Sequence, residues 1–268
     1  MLPVLVQFGP VTIGTHDFFT LLGLAVGMAI YYRALRRDGL MGPEITAISL
    51  AAVSGGVVGA RLLTGWEILD DIQAAGAPIS AVLTHGPKSI LGAFVGGWLA
   101  IALSKRALGY TVSTGDYYTL AIPVGLAIGR VGCFLSELPL GAPTSLPWGM
   151  TVSPEAAAAF ARCPGCGGPI HPSMLYEIGF VVGAALLIWR RGPLLPTRGD
   201  TVRAFLLAYG LFRFGIEFLR GNEVQFAGLT GPQLVLIPFI AFLAVHFVRR
   251  VLSGAYRLPP PVPARAGG

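Results

Sequence analysis

The stretch YYTLAIPVGLAIGRVGCFLSEL, residues 117–138, carries no charge from Tyr117 to Gly129, then Arg130, then none until Glu137. A helix needs about 20 apolar residues to cross a hydrocarbon core. A guanidinium within such a helix opposes insertion by about 2.5–3.5 kcal/mol near the bilayer centre, so it belongs beside a polar interior and not beside lipid. The stretch therefore predicts a membrane-spanning helix together with a polar place inside the membrane.

The rest of the chain extends that pattern. Only 12% of its residues are charged against 54% hydrophobic, about half the charge of an ordinary soluble domain. Apolar runs bounded by Gly, Pro and charges place seven spans at 17–34, 46–64, 89–105, 117–136, 174–190, 202–220 and 231–250. The expected fold is an all-α integral membrane protein: over residues 1–255, a seven-transmembrane helical bundle with loops on the outer face and a central polar lipid-binding cavity. Residues 256–268, ending LPPPVPARAGG, are expected to form a disordered Pro-rich cytoplasmic tail. Gly55, Gly56 and Gly59, and Gly92, Gly96 and Gly97, are spaced for close helix approach.

Lys and Arg alternate by connection. Arg33, Arg36 and Arg37, then Lys105 and Arg106, then Arg190, Arg191, Arg198 and Arg203, and finally Arg249, Arg250, Arg257 and Arg265 fall on one side, with far fewer on the other. This bias sets the N-terminus outside and the C-terminus in the cytoplasm. It also accounts for the net charge of +6 without a nucleic-acid partner, because no basic stripe with interleaved aromatics occurs. Residues 1–16 hold no Lys or Arg and no small-residue cleavage site, so the first span is expected to be retained.

Arg61, Arg130 and Arg213 lie within or at the edge of spans, and Glu217 follows Arg213 by one turn. In YGLFRFGIEFLR, residues 209–220, the positions Tyr209, Arg213, Glu217 and Arg220 form one polar helical stripe. Arg213 and Glu217 have two readings: a self-satisfied pair that only fixes packing, or part of an anion site, which the second arginine favours. From Arg130, Cys133 and Glu137 share a face if the helix continues past residue 136. The three arginines are expected to converge beneath the outer face, where the planar donor fork of guanidinium suits phosphate. A phospholipid head group is the ligand that such a place fits.

Four stretches, in order, resemble the bacterial prolipoprotein diacylglyceryl transferase family. They are GARL at 59–62; GRVGCF at 129–134 followed by Gly141 and PTSLPWGM; HPSMLYE at 171–177; and YGLFRFGIEFLR at 209–220. The resemblance implies that the diacylglyceryl group of phosphatidylglycerol passes to the thiol of a lipobox cysteine in a preprolipoprotein, in a bacterial cytoplasmic (inner) membrane with the loops in the periplasm. It implies catalytic roles for Arg130, Arg213, Glu217 and His171. Arg61, Cys133, Gly141, Tyr176, Glu177, Tyr209 and Arg220 would line the substrate site, and Asp116 matches a structural acidic position. No cofactor or metal is implied; the partners are phosphatidylglycerol, the lipobox segment and membrane lipid.

Two positions depart from the family pattern. Leu91 or Ile90 stands where the family carries a histidine before Gly-Gly, with His85 a few residues earlier; His16 and His246 read as helix-end residues. Cys133 replaces an asparagine, either as a packed thiol or as a reactive or lipid-facing one. These departures leave open a diverged member with another acceptor, or one that binds anionic phospholipid without catalysis. Cys163 and Cys166, in RCPGCGGPIHP, are spaced for a disulfide on the oxidising side, with a metal site the lesser alternative.

Overall fold

The computed structural model describes residues 4–8, 11–63, 65, 69–74, 76–85, 89–138, 140–158 and 165–256. It divides into two compact units, one of residues up to Tyr31 and from Thr114 onward, the other of Tyr32–Ser113. The predicted tail beyond Tyr256, and Cys163, lie outside the described residues.

The first unit opens with an antiparallel hairpin, β1 (Val4–Phe8) and β2 (Val11–Gly14), which runs directly into α1 (Thr15–Arg37). The last residues of α1 belong to the second unit. There, α2 (Pro43–Leu62) starts with a proline in its first turn, where no backbone donor is lost. Short helices α3 (Leu69–Ala74) and α4 (Val82–His85) lead to α5 (Ile90–Ala107). The Ser89 hydroxyl caps α5 by accepting from the Gly92 amide at 3.2 Å. Helices α2 and α5 pack backbone to backbone through the glycines singled out above. A Cβ at Gly59 would lie 2.4 Å from the Gly92 carbonyl oxygen, and one at Gly96 would lie 2.2 Å from that of Gly55. In lipid, where burial drives helix pairing little, this close approach is what dispersion can exploit.

The first unit continues with α6 (Tyr118–Leu135), the short α7 (Pro154–Ala158), α8 (Ser173–Arg191), α9 (Asp200–Ile216), a second hairpin of β3 (Val224–Phe226) and β4 (Leu229–Thr230), and α10 (Gly231–Leu252). Helix α1 approaches α6 through another glycine seam, where a Cβ at Gly23 would meet the Gly125 carbonyl oxygen at 2.4 Å. Thr230 and Gln233 form a capping box at the start of α10.

Two helix ends fall before the residues considered above. Helix α6 does not continue to Glu137: it ends at Leu135, and Glu137 adopts φ 52°. Pro139 follows in the sequence and keeps Leu138, the residue before it, out of helical geometry, so the helix cannot run on through this segment. Glu137 therefore leaves the face of Arg130, and its carboxylate accepts from the Ser153 amide at 2.8 Å. Likewise the helix expected to reach residue 220 stops at Ile216 and tightens into a 3-10 turn, Glu217–Leu219.

Six of the described helices are long and apolar enough to cross a membrane: α1, α2, α5, α6, α8 and α10. The chain is thus a mostly helical, multi-pass membrane protein; α9 has 17 residues before its 3-10 turn.

The start of α9 is tied to the end of α10 by one carboxylate. Asp200, fully buried, pairs with Arg203 at 2.9 Å, His246 at 2.9 Å and Arg250 at 3.3 Å, and accepts from the Tyr256 hydroxyl at 2.7 Å. Burial and that bond push the Tyr256 phenol up to about 12. Beside it, Gly199 takes the left-handed φ of 82° that a turn into α9 requires, and its amide is held by Asp116 at 2.5 Å.

Two outcomes follow from this packing. Gly59→Leu should separate α2 from α5 and destabilise the protein by about 1–3 kcal/mol, read as a lower melting temperature in detergent. Asp200→Asn, by leaving its donors without a charged partner, should cost about 2–3 kcal/mol and speed proteolysis near residue 256.

Candidate active site

Arg130 lies one and a half turns before the end of α6, and its side chain is 9% exposed. Its counter-ion is Glu177 in the second turn of α8, with Arg130 Nε 2.8 Å from Glu177 Oε1. The same oxygen accepts from the Tyr209 hydroxyl of α9 at 2.7 Å. One carboxylate thus joins three helices. An unpaired charge there would be strongly destabilising, so each helix supplies what the next one needs.

A second carboxylate gathers the residues after α9. Glu217 is 1% exposed; its Oε2 pairs with Arg213 and lies 3.6 Å from Arg220 Nε, while its Oε1 accepts from Asn222 and from the Thr230 hydroxyl at 3.1 Å. The 3-10 turn brings Glu217 between Arg213 and Arg220. Arg213 and Glu217 do pair, but Glu217 serves Arg220, Asn222 and Thr230 as well.

The two assemblies feel each other: Arg213 acts electrostatically on Glu177, and Arg130 on Arg220. Three guanidiniums face two carboxylates, leaving one net positive charge. Among the described residues, Arg220 Nη1 and Glu177 Oε2 are buried without a hydrogen-bond partner. Each such atom costs about 1–3 kcal/mol unless a polar group meets it. The excess charge and the open donor together suit an anion.

The loop after α6 closes over this region. A Cβ at Gly141 would lie 2.0 Å from the His171 carbonyl oxygen, so only glycine fits there. The Ala142 amide donates to the Leu219 carbonyl at 3.0 Å, and the His171 amide to the Ala142 carbonyl at 2.9 Å. Ile170 bridges to both Pro143 and Met150 and packs with Cys133 and Met174. Next to it the Tyr176 hydroxyl accepts from Trp148 Nε1 at 2.8 Å and lies 3.3 Å from His171 Nδ1. Trp148 is 57% exposed, so this trio stands at the rim.

Of the residues expected to form the site, Arg130, Cys133, Glu177 and Tyr209 come together, as do Arg213, Glu217 and Arg220, with Gly141, His171 and Tyr176 in the loop region. Arg61 stands in the last turn of α2, in the second unit, as does α4 with His85. Cys166 is disulfide-bonded and Cys133 is a free thiol; among the described residues no His, Cys, Asp and Glu cluster could hold a metal.

Sequence reasoning missed His16, Asn222 and Thr230. Thr230 was signalled by the Thr-x-x-Gln pattern at 230–233, whose cap places its hydroxyl against Glu217. His16 left no signal in the sequence: it lies 117 residues from Cys133, yet its Nδ1 is 3.6 Å from the sulfur.

The profile of the family described as "Prolipoprotein diacylglyceryl transferase" matches residues 3–249. Curated relatives named phosphatidylglycerol–prolipoprotein diacylglyceryl transferase include one from Methylococcus capsulatus, 31% identical over 92% of this chain and 96% of its own length. One from Cereibacter sphaeroides is 34% identical over 85% and 87%, and one from Solidesulfovibrio magneticus 33% over 90% and 91%. With a profile that covers almost the whole chain and relatives above 30% identity along it, this protein belongs to the prolipoprotein diacylglyceryl transferase family.

Proposed function

We propose that the protein transfers the diacylglyceryl group of phosphatidylglycerol to the thiol of a lipobox cysteine in a preprolipoprotein, leaving glycerol phosphate. The observation that carries this reading is the pair of carboxylate-anchored guanidinium groups with an unbalanced positive charge. Family membership adds the reaction. Helix α9 with its 3-10 turn makes the seventh span, the N-terminus lies outside, and the site opens beneath the periplasmic face of the bacterial inner membrane. The positive-inside distribution of Lys and Arg supports that orientation.

The reaction displaces a phosphate from a glyceryl carbon. A thiolate sulfur forms the new S–C bond, the C–O bond to phosphorus breaks, and the electron pair leaves on glycerol phosphate. Negative charge grows on the departing group, so donors aimed at it contribute most when they are already fixed in place. Glu177 and Tyr209 fix Arg130; Glu217, Asn222 and Thr230 fix Arg213 and Arg220. Arg130 and Arg213 hold the phosphate, and the open Nη1 of Arg220 supplies a further donor. His171, Tyr176 and Trp148 form the rim by which the lipobox segment enters, above the loop that Gly141 lets lie close.

The test incubates purified protein with phosphatidylglycerol labelled in its glycerol backbone and with a lipobox peptide. Labelled thioether should form. Arg130→Lys should lower kcat by about 100-fold, because a point ammonium cannot reproduce the planar fork. Phosphatidylglycerol binding that depends on Arg130 without any transfer would establish the non-catalytic alternative instead. Tyr209→Phe should leave Glu177 short of a donor, lowering both kcat and stability, the latter by about 1–3 kcal/mol.

A further inference from the structure

We propose that Cys133 and His16, flanked by Arg130, are the proton-accepting pair for the incoming thiol. This rests on the transfer reading above. Two nitrogens from two helices meet the Cys133 sulfur: Arg130 Nη1 at 3.6 Å and His16 Nδ1 at 3.6 Å. Around these contacts Cys133 packs with Met150, Ile170 and Met174 in an apolar cluster.

The approach is built into the backbone. At Gly132, a Cβ would lie 2.5 Å from the Phe19 Cβ and 3.4 Å from the His16 Cα. Only a glycine beside Cys133 lets the first turn of α1 come near enough for its imidazole to reach the sulfur. The titratable and charged groups around the thiol are His16 from α1 and Arg130 from its own helix; Glu177 of α8 and Tyr209 of α9 act on it through Arg130. A thiol with an imidazole on one side and a guanidinium on the other is the arrangement that stabilises a thiolate. An amide at position 133 exchanges no proton in this range, so the thiol found here adds an acid–base group that the family's asparagine lacks.

The step balances as follows. Cys133 rests as a thiolate with its proton on His16. The acceptor S–H passes its proton to the Cys133 sulfur, and the acceptor thiolate attacks the glyceryl carbon. The C–O bond to phosphorus breaks as the S–C bond forms. Cys133 then returns to its resting state by giving up the added proton to the departing glycerol phosphate, whose second ionisation lies near neutrality.

The experiment uses the full chain in phosphatidylglycerol-containing vesicles and compares wild type with His16→Gln, His16→Asn and Cys133→Ser. Alkylation of Cys133 by iodoacetamide is followed against pH by mass spectrometry of the Cys133 peptide, alongside kcat for transfer to a lipobox peptide. In the His16 variants the alkylation midpoint should move up by about one pH unit or more. All three variants should lose about 100-fold in kcat with little change in KM, and the His16 variants should lose the wild-type pH dependence of kcat. His16 variants with wild-type kcat and pH profile, or a wild-type Cys133 that no pH makes alkylable, would overturn the proposal while active wild type leaves the transfer reading standing. Wild type that transfers nothing would overturn the transfer reading, and the pair's role with it.

Discussion

A carboxylate buried in a membrane protein must be surrounded by donors, and that requirement organises the first unit. Glu177 on α8 is satisfied by Arg130 from α6 and Tyr209 from α9. None of the three side chains is tolerable alone in an apolar setting, since an isolated buried charge costs far more than a hydrogen bond returns. Their meeting therefore helps to fix the relative placement of three helices. Glu217 repeats the arrangement on a local scale, drawing the residues after α9 and the cap of α10 around one acid.

Anchoring and function are coupled through charge. A guanidinium held by a single carboxylate is neutral in sum; three held by two are not. The remaining positive charge is stable only because the arginines are crowded by carboxylates and hydroxyls that keep each fork in place, the fixed arrangement that the proposed phosphate-holding role would use. Glycine contributes at a different level. At Gly132 and Gly141 the missing side chain is what allows a helix or a loop to come against the site, and at Gly55, Gly59, Gly92 and Gly96 it lets two helices touch along their backbones.

Much of this was legible in the primary structure. The helices fall within a few residues of the apolar runs, and the glycine spacing announced the α2–α5 contact. Tyr209, Arg213, Glu217 and Arg220 were readable as one polar stripe because a helix repeats every 3.6 residues. Helical extrapolation fails at Glu137, which lies beyond the end of α6 at positive φ and so leaves the face of Arg130, whereas Arg220, past the 3-10 turn, still meets Glu217.

The sequence by itself determined that the chain is a helical membrane protein, which family it resembles, and which charged residues must be hidden from lipid, because hydropathy, charge bias and helical period are local properties of the chain. Only the tertiary structure decided who answers whom: that Glu177 takes Arg130, that Glu217 takes Arg213 and Arg220 together, and that His16 reaches Cys133. Those pairings join residues up to 117 positions apart, and they are set by how closely helices approach and by the need of every buried charge for a partner, neither of which any single stretch of sequence contains.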